Sequence, residues 1–171
     1  FRSVGPEALE RSRELLRAGR ILAIKGIGGF HLVCDAANDA AVGRLRDRKQ
    51  RVGKPVAVMV ADLAAARGLA HVDGQEERLL QGPERPIVLL RKRDGAASLS
   101  PQVSPGNDFL GILLPYSPLH HLLCAGMPPL VMTSGNLAEE PIVHDDAAAV
   151  RVLRPLVDAF LIDRKSTRLN S

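Results

Sequence analysis

A chain of 171 residues has the size of one domain and can bury about 70% of the surface that its unfolded form exposes. With 46% hydrophobic and 25% charged residues, its composition is that of a globular protein and excludes a disordered or fibrous one. The formal net charge of +4 favours an anionic partner. Acidic and basic residues are interspersed, however, and only 3% of residues are aromatic, which favours a small polyanionic molecule over nucleic acid.

Cysteine usage and hydropathy indicate the compartment. Cys34 and Cys124 are far apart and form no Cys-x-x-Cys pair, which argues against a disulfide framework or a zinc ribbon and favours a reducing compartment. The sequence has no signal peptide and no apolar run of the roughly 20 residues that cross a bilayer. We therefore expect a cytoplasmic protein with no membrane partner.

The boundaries of the chain suggest a fragment. The first residue is Phe1 rather than Met, which indicates a piece of a longer protein. Residues 165–171 break the preceding pattern and are expected to be a polar tail without function, so we assign a single domain to residues 1–164.

Hydrophobic periodicity, capping residues and turn residues predict alternating helices and strands. The first predicted helix spans residues 6–17, and strands at 21–24 and 30–34 follow it. Further helices are predicted at 39–50, 62–69, 75–80, 118–125 and 145–153, and further strands at 56–60, 87–90, 109–114, 130–132 and 159–162. Residues 91–108 are predicted as a long loop. This alternation predicts an α/β domain with a mixed, largely buried sheet.

A glycine-rich segment, Lys-Gly-Ile-Gly-Gly, lies at residues 25–29 between the first two strands. It is not a Walker or dinucleotide motif, because the lysine precedes the glycines and no Gly-Lys-Ser/Thr opens a helix. It is either a simple turn between strands or a place where a ligand approaches the backbone and Lys25 supplies charge.

The second predicted helix ends in a basic segment. At 100° per residue, Lys49 falls on the apolar face with Val42 and Leu45, so its side chain is expected to point inward. Its aliphatic stem lies along the edge of the core with the amine at the surface, or its ammonium is delivered to a phosphate-binding pocket.

Three arginines of this segment, Arg44, Arg48 and Arg51, share the opposite face. A solvated basic face is the favoured interpretation of Arg44 and Arg48. Arg51 and Lys54 lie just past the helix, where a glycine and a proline on either side of Lys54 impose a turn, and both could join a phosphate site.

The run Thr-Ser-Gly-Asn at residues 133–136 directly follows a predicted strand. It is either a turn in which Thr133, Ser134 and Asn136 bond to their own backbone, or a set of hydroxyl and amide groups for a phosphate or an adenylate. The position of the run after a strand favours the second interpretation, because ligands of α/β sheets bind at the carboxyl ends of strands.

The histidines give a weaker signal. His120, His121 and Cys124 have helical spacing, but no further ligands are placed with them, so packing or capping is favoured over a metal site. His31 and His144 are interpreted as structural or substrate-contacting residues rather than metal ligands.

Five sequence blocks resemble the YrdC-like domain of the HypF family, the carbamoyltransferases of hydrogenase maturation, over residues 7–163. The blocks are Ala23-Ile-Lys-Gly-Ile-Gly-Gly-Phe-His-Leu-Val-Cys-Asp-Ala, Arg48-Lys-Gln-Arg-Val-Gly-Lys-Pro, Glu84-Arg-Pro-Ile-Val-Leu-Leu, Leu113-Leu-Pro-Tyr-Ser-Pro-Leu-His-His-Leu-Leu and Val131-Met-Thr-Ser-Gly-Asn-Leu-Ala-Glu-Glu-Pro-Ile. The resemblance implies a YrdC-type fold, a twisted mixed sheet surrounded by helices with a concave basic cleft.

The resemblance also implies a reaction. In that family an acylphosphatase domain releases carbamate from carbamoyl phosphate, and the YrdC-like domain joins carbamate to ATP, giving carbamoyl-adenylate and pyrophosphate. A later domain passes the carbamoyl group to the C-terminal cysteine of HypE, on the way to the cyanide ligands of the nickel–iron centre. The acylphosphatase, zinc-finger and transfer domains have no counterpart in this sequence.

Site residues follow from the same resemblance. Lys49 and Arg51 match the family's Lys-x-Arg motif and are expected to contact phosphates, and Ser134 and Asn136 match its Ser-x-Asn motif at the nucleotide. Lys25 is the candidate for the carbamoyl or phosphate end. Mg²⁺ is expected with ATP, held by phosphates and water rather than by protein ligands.

Two other functions stay open. A stand-alone YrdC relative makes threonylcarbamoyl-adenylate for transfer-RNA modification and shares the fold and the motifs. The segments around residues 25–31 and 115–121 look like the maturation branch instead. A noncatalytic RNA-binding module would show salt-dependent binding without nucleotide turnover.

Overall fold

The computed structural model describes residues 2–3, 5–26, 29–135 and 146–162. Within these ranges the chain forms one mixed sheet with helices on both faces, which confirms the predicted α/β class. Asn136, His144 and the predicted polar tail at 165–171 lie outside the described residues.

Apart from a first strand at Arg2–Ser3 and a short 3-10 helix, the elements of the described ranges follow the predicted order. The helices are α1 (Pro6–Arg17), α2 (Asp39–Lys49), α3 (Leu63–Leu69), α4 (Gly74–Gln81), α5 (Pro118–Cys124) and α6 (Asp146–Leu153). The strands are β1 (Arg2–Ser3), β2 (Leu22–Gly26), β3 (Gly29–Asp35), β4 (Ala57–Met59), β5 (Val88–Arg91), β6 (Phe109–Leu113), β7 (Leu130–Ser134) and β8 (Ala159–Leu161).

Short polar side chains determine where four of the helices begin. Asn38, Asp62, Asp73 and Ser117 each accept a hydrogen bond from a backbone N–H of the following turn, at the starts of α2, α3, α4 and α5. Such a cap satisfies a backbone donor that has no partner inside the helix. None of the described helices is long and apolar enough to cross a membrane.

The order of strands across the sheet is β1-β8-β2-β3-β7-β4-β6-β5. Strand β7 joins the two halves, since it pairs antiparallel with both β3 and β4. Its carboxyl end therefore lies beside the start of β3, where Ser134 is opposite His31 and Thr133 is opposite Leu32. This places residues from distant parts of the sequence at one end of the sheet.

The core has two layers on opposite faces of the sheet, because successive side chains of a strand point to opposite sides. The first layer includes Val58 and Val131, and helices α2, α3, α4 and α6 pack against it. The second includes Met59 and Met132, and helices α1 and α5 pack against it. Residues of both layers are almost fully buried.

The second face is covered over only part of its width. Helix α1 packs against β3 and β8, and α5 packs against α1. Over β4, β6 and β5 the same face presents Ala57, Gly111 and Leu89, and Leu89 is 68% exposed. In the described part of the chain this half of the face is a cleft beside the end of β7.

Besides strand β1, which was not predicted, and shifts of one or two residues at element ends, the observed elements depart from the predictions at two places. Strand β7 runs to Ser134 rather than ending at residue 132, because Thr133 and Ser134 pair with Leu32 and His31 of β3. The predicted loop at 91–108 contains a 3-10 helix, Asp94–Ser98. Both features depend on contacts that local periodicity does not encode.

Candidate active site at the end of strand β7

The side chain of Lys49 is buried although it carries an ammonium group, with only 2% of the residue exposed. Its Nζ donates to Thr133 Oγ1 at 2.8 Å, to Ser134 Oγ at 3.1 Å and to the Ser134 carbonyl oxygen at 2.6 Å. The inward direction predicted from the helical spacing is confirmed. The ammonium lies at the carboxyl end of β7 rather than at the surface.

The local sequence explains how a lysine reaches this position. Helix α2 packs against β3 through its apolar face, and Lys49 is its last residue. The helix ends at Gln50, which adopts the left-handed conformation with φ of 56° and turns the chain away. The side chain of Lys49 therefore reaches the carboxyl end of β7, while Arg51 lies toward the cleft.

Two cations lie together here without a carboxylate. Burial, and secondarily the charge of Arg51, lower the pKa of Lys49 to about 8. Within the described residues neither Lys49 nor Arg51 forms a salt bridge with an acidic side chain. A buried positive charge without a compensating carboxylate is costly, and an anionic ligand would remove that cost.

Arg51 lies at the border of the cleft. Its Nη2 donates to the Pro55 carbonyl oxygen at 2.7 Å, which fixes the turn between α2 and β4. Its Nε is buried and has no hydrogen-bond partner among the described residues. A guanidinium with an unused donor is suited to a phosphate or carboxylate oxygen.

The cleft itself has a volume of about 400 Å³, which is within the range of small-molecule sites. Its floor is the uncovered half-face of the sheet. The lining residues are His31, Arg51, Pro55, Val56, Ala57, Ile87, Leu89, Gly111, Leu113, Met132, Thr133 and Ser134. Among these described residues Arg51 is the one with a permanent positive charge, so the basic character expected of the cleft stays a prediction.

His31 links the cleft to an adjacent aromatic cluster. Its Nδ1 is 3.4 Å from the Tyr116 hydroxyl, and the Tyr116 ring lies 4.2 Å from the His120 ring, centroid to centroid. Burial, and secondarily the charge of Lys49, lower the pKa of His31, which favours the neutral ring at neutral pH.

Gly135 allows β7 and β3 to approach closely at the site. A Cβ atom at this position would lie 2.7 Å from the Phe30 carbonyl oxygen and 3.0 Å from Phe30 Cβ. The Gly135 N–H donates to the same carbonyl at 2.7 Å. The glycine of the Thr-Ser-Gly-Asn run is thus required by backbone packing, which holds Ser134 against β3.

The structure brings only part of the predicted set together. Lys49, Thr133 and Ser134 are in direct contact, and Arg51 shares the cleft with Thr133 and Ser134. Asn136 lies outside the described residues.

The other two predicted lysines are placed differently. Lys25 is paired with Phe30 across β2 and β3, and its Nζ lies 4.8 Å from the centre of the Phe30 ring. By strand alternation it faces the side of the sheet opposite His31. Lys54 is exposed in the turn after α2, and neither lysine is among the described residues that line the cleft.

Three further candidates from the sequence, Arg44, Arg48 and His120, make structural contacts, and Arg44 donates to the Gly19 carbonyl oxygen. Arg44 is exposed, and Arg48 forms an ion pair with Asp158 at 3.4 Å, so neither points into the cleft. His120 Nδ1 lies 2.5 Å from Ser117 Oγ, the N-cap of α5, in the packing role that the sequence favoured. The described residues contain no group of three potential metal ligands, whereas His144 lies outside them.

Tyr116 contacts the cleft residue His31, and sequence reasoning did not single it out. It is separated from His31 by 85 positions, and no local pattern predicts that the two meet. The one available signal was its presence in the block Leu-Pro-Tyr-Ser-Pro-Leu-His-His, which stood out as a motif without an assigned role.

Comparisons with known proteins agree with this architecture. Residues 14–171 match the Sua5/YciO/YrdC family, described as Telomere recombination. The chain is 49% identical over 162 residues to carbamoyltransferase HypF2 of Cupriavidus necator, a match that covers 86% of this chain and 20% of that protein. It is 31% identical to threonylcarbamoyl-AMP synthase of Xanthomonas euvesicatoria, with 90% of this chain and 84% of that protein covered.

A solved structure of a HypF protein has the same fold as this chain. The crystal structure of full-length HypF in the phosphate- and nucleotide-bound form superposes with a TM-score of 0.88 and 44% identity, over 92% of this chain and 25% of that one. This chain therefore spans about a fifth to a quarter of the length of its HypF relatives. From its sequence match and its fold, the chain belongs to the Sua5/YciO/YrdC family and resembles the corresponding segment of HypF carbamoyltransferases.

Proposed function

We propose that the chain binds ATP and joins carbamate to its α-phosphate, giving carbamoyl-adenylate and pyrophosphate. The observation that carries the proposal is the buried Lys49 ammonium, held by Thr133 and Ser134 and accompanied by Arg51 at an open cleft. Two cations without a carboxylate partner among the described residues are suited to a triphosphate.

The chemistry requires positioning and charge neutralisation more than covalent work by the protein. A carboxylate oxygen of carbamate attacks the α-phosphorus, the bond from that phosphorus to the bridging oxygen breaks, and pyrophosphate leaves with the electron pair. Lys49 and Arg51 neutralise the charge that develops on the phosphate oxygens. Thr133, Ser134 and Asn136 contact the nucleotide. Lys25 and Lys54 do not line the described cleft, so the contribution proposed for them is positive charge acting over a longer distance.

Mg²⁺ would accompany ATP and would be held mainly by phosphate oxygens and water. This fits the described residues, because Lys49 and Arg51 are cations suited to phosphate oxygens, which would in turn hold the ion. When bound, Mg²⁺ supplies charge neutralisation on the triphosphate.

Identity favours carbamate over threonine as the source of the acyl group. The chain is 49% identical to a HypF protein and 31% identical to a threonylcarbamoyl-AMP synthase.

The proposal places the chain within a longer protein, in which acylphosphatase, zinc-finger and transfer domains would supply carbamate and pass the carbamoyl group to the C-terminal cysteine of HypE. It also places that protein in the cytoplasm.

The test supplies carbamate directly, so that no acylphosphatase is needed. The chain is incubated with ATP, Mg²⁺ and ammonium carbamate, and in parallel with ATP, Mg²⁺, threonine and bicarbonate. Pyrophosphate release is measured and the adenylates are identified by mass spectrometry. We expect carbamoyl-adenylate in the first reaction, whereas a failure to release pyrophosphate although ATP binds would contradict the proposed activity.

The second candidate, threonylcarbamoyl-adenylate formation, is favoured by one observation: the match to the Xanthomonas synthase covers 84% of that protein. Its signature is an adenylate that requires threonine. The RNA-binding alternative predicts strongly salt-dependent RNA binding and no adenylate in either reaction.

A further inference from the structure

Residues of two HypF-like blocks that the proposed function leaves without a role meet beside the cleft. Gly26 and His31 come from the glycine-rich block, and Tyr116, Ser117 and His120 come from the Pro-Tyr-Ser-Pro-Leu-His-His block. Together the rings of His31, Tyr116 and His120 form a continuous series, which we call the ring stack. Its distances are 6.4 Å between the centres of His31 and Tyr116 and 4.2 Å between those of Tyr116 and His120.

The inner end of the ring stack is fixed. His120 is completely buried, and its Nδ1 lies 2.5 Å from Ser117 Oγ. The same oxygen accepts the His120 backbone N–H at 3.3 Å, so Ser117 contacts both the ring and the backbone of His120. Tyr116 packs against this immobilised ring, and its hydroxyl is therefore held in one place.

The outer end of the ring stack reaches the cleft. His31 lines the cleft and is the register partner of Ser134, so both side chains lie on one face of adjacent strands. A Cβ atom on Gly26 would lie 2.7 Å from both His31 Nδ1 and the Tyr116 hydroxyl. The absence of a side chain at residue 26 is thus what lets these two groups meet.

We infer that His31 contacts the carboxylate of the acid that is adenylated, and that Tyr116, supported by His120, is the positioning residue that orients it. The inference rests on the proposed function and extends it to the second substrate. The phenol donates to His31 Nδ1, so the single N–H of the neutral ring is at Nε2. That N–H is a donor for a carboxylate oxygen bound beside Ser134.

Two properties of the site support this arrangement. Burial raises the pKa of Tyr116 to about 12, so the phenol keeps its hydrogen and remains a donor at neutral pH. Burial and the nearby Lys49 keep His31 neutral, as described above. At 3.4 Å the contact between Tyr116 and His31 is long for a hydrogen bond, so it selects an orientation more than it stabilises the fold.

The first test is a double-mutant cycle on pyrophosphate release, with carbamate and ATP titrated separately. We expect His31→Ala to raise the KM for carbamate or lower kcat by about tenfold or more, as for loss of a hydrogen bond to a charged group, and to change the KM for ATP by less than about twofold. His31→Gln, whose amide can supply an N–H, should recover part of the loss. Tyr116→Phe should have a smaller effect in the wild-type background and none when His31 is already Ala.

A matched control and a second perturbation guard against general damage to the fold. His121→Ala changes an exposed histidine of α5, next to His120, and is expected to leave both KM values unchanged. Gly26→Ala should separate His31 from Tyr116 and reproduce the kinetic effect of Tyr116→Phe. An undiminished effect of Tyr116→Phe in the His31→Ala protein, or a change confined to the KM for ATP, would overturn the inference.

A measurement that needs no turnover separates this inference from the proposed function. In ¹⁵N-labelled protein, the His31 ring nitrogens are expected to show the Nε2–H tautomer, and Tyr116→Phe should shift the tautomer ratio. Ammonium carbamate should perturb the His31 signals, and chloride at equal ionic strength should not. If the wild-type chain forms no adenylate but His31 responds in this way, the proposed reaction fails and His31 is left as a carboxylate-binding residue only. An unresponsive His31 overturns the inference.

Discussion

At the scale of single residues, the unusual feature is a charged amine in the interior. Lys49 is 2% exposed and uses its three N–H donors on Thr133 Oγ1 and on two oxygens of Ser134. Hydrogen bonds of this kind reduce the cost of burial without cancelling the charge. The neighbours therefore hold the ammonium in place, and its charge can act on a bound anion through electrostatic attraction.

Replacing Lys49 should separate binding from folding. In Lys49→Met the stem is kept and the charge is lost, so we expect ATP affinity to fall by about tenfold or more, consistent with loss of a positive charge beside the phosphates. The fold should persist, because methionine fills nearly the same volume. Isothermal titration with ATP and circular dichroism check both statements, with Arg44→Met, an exposed cation of the same helix, as the control. Unchanged ATP affinity in Lys49→Met would remove this residue from the site.

The pH dependence of Lys49 gives a second prediction, with opposite signs for stability and binding. Its pKa is about 8 in the folded protein and 10.5 in the reference state, so between these values the unfolded chain binds more protons at this position. The free energy of unfolding of the wild type should therefore rise with pH relative to that of Lys49→Met. ATP affinity should fall over the same interval as the ammonium is neutralised.

Urea denaturation and ATP titration at about pH 7 and about pH 9.5, on both proteins, measure these two trends. The comparison with Lys49→Met removes the contributions of other groups that titrate at alkaline pH. Parallel pH profiles for the two proteins would show that Lys49 does not titrate in this range.

At the scale of elements, the end of β7 depends on its close approach to β3. Gly135 donates to the Phe30 carbonyl oxygen, and Ser134 is opposite His31. A larger residue at 135 would push the two strands apart at the point where the hydroxyl groups of the site are attached. Local packing and the geometry of the site are therefore coupled at this strand end.

We predict that Gly135→Ala destabilises the protein by about 2 kcal/mol, because its Cβ would meet backbone atoms of Phe30 that have little room to move. Gly68→Ala is the matched control, since this helical glycine faces open space and alanine there should stabilise by about 0.5–1 kcal/mol. Chemical denaturation of both variants checks the difference. Equal stabilities would mean that β7 adjusts to the added methyl group.

Elements were predictable where their signals are local. The start of α2 and the inward direction of Lys49 follow from residues within one or two helical turns. The length of β7 and the contact of Tyr116 with His31 could not be predicted in the same way, because they depend on which strands become neighbours. The inward direction of Lys49 could thus be predicted, but not the contacts within the ring stack.

At the scale of the whole molecule, the sheet separates two apolar layers that each contain one cysteine. Cys34 belongs to the layer under α2, and Cys124 belongs to the layer under α1 and α5. Burial raises the pKa of each thiol to about 12, so neither is a reactive thiolate in the folded protein.

We expect both cysteines to react with iodoacetamide only through global unfolding, and at the same rate, because the layers share every central strand. Peptide mass spectrometry after pulsed labelling in subdenaturing urea measures the two rates separately. Faster labelling of Cys124 would show that α1 and α5 detach while the rest of the sheet persists.

The pairing of β1 with β8 has a consequence for chain connectivity. These neighbouring strands run in the same direction with Arg2 opposite Phe160, so residues 2 and 162 lie close together at one edge of the sheet. A short peptide joining them should permit circular permutation, with new termini opened at the exposed Gly106. A domain whose ends are adjacent can also stand in the middle of a polypeptide several times its length. The preceding segment then ends beside the point where the following segment begins.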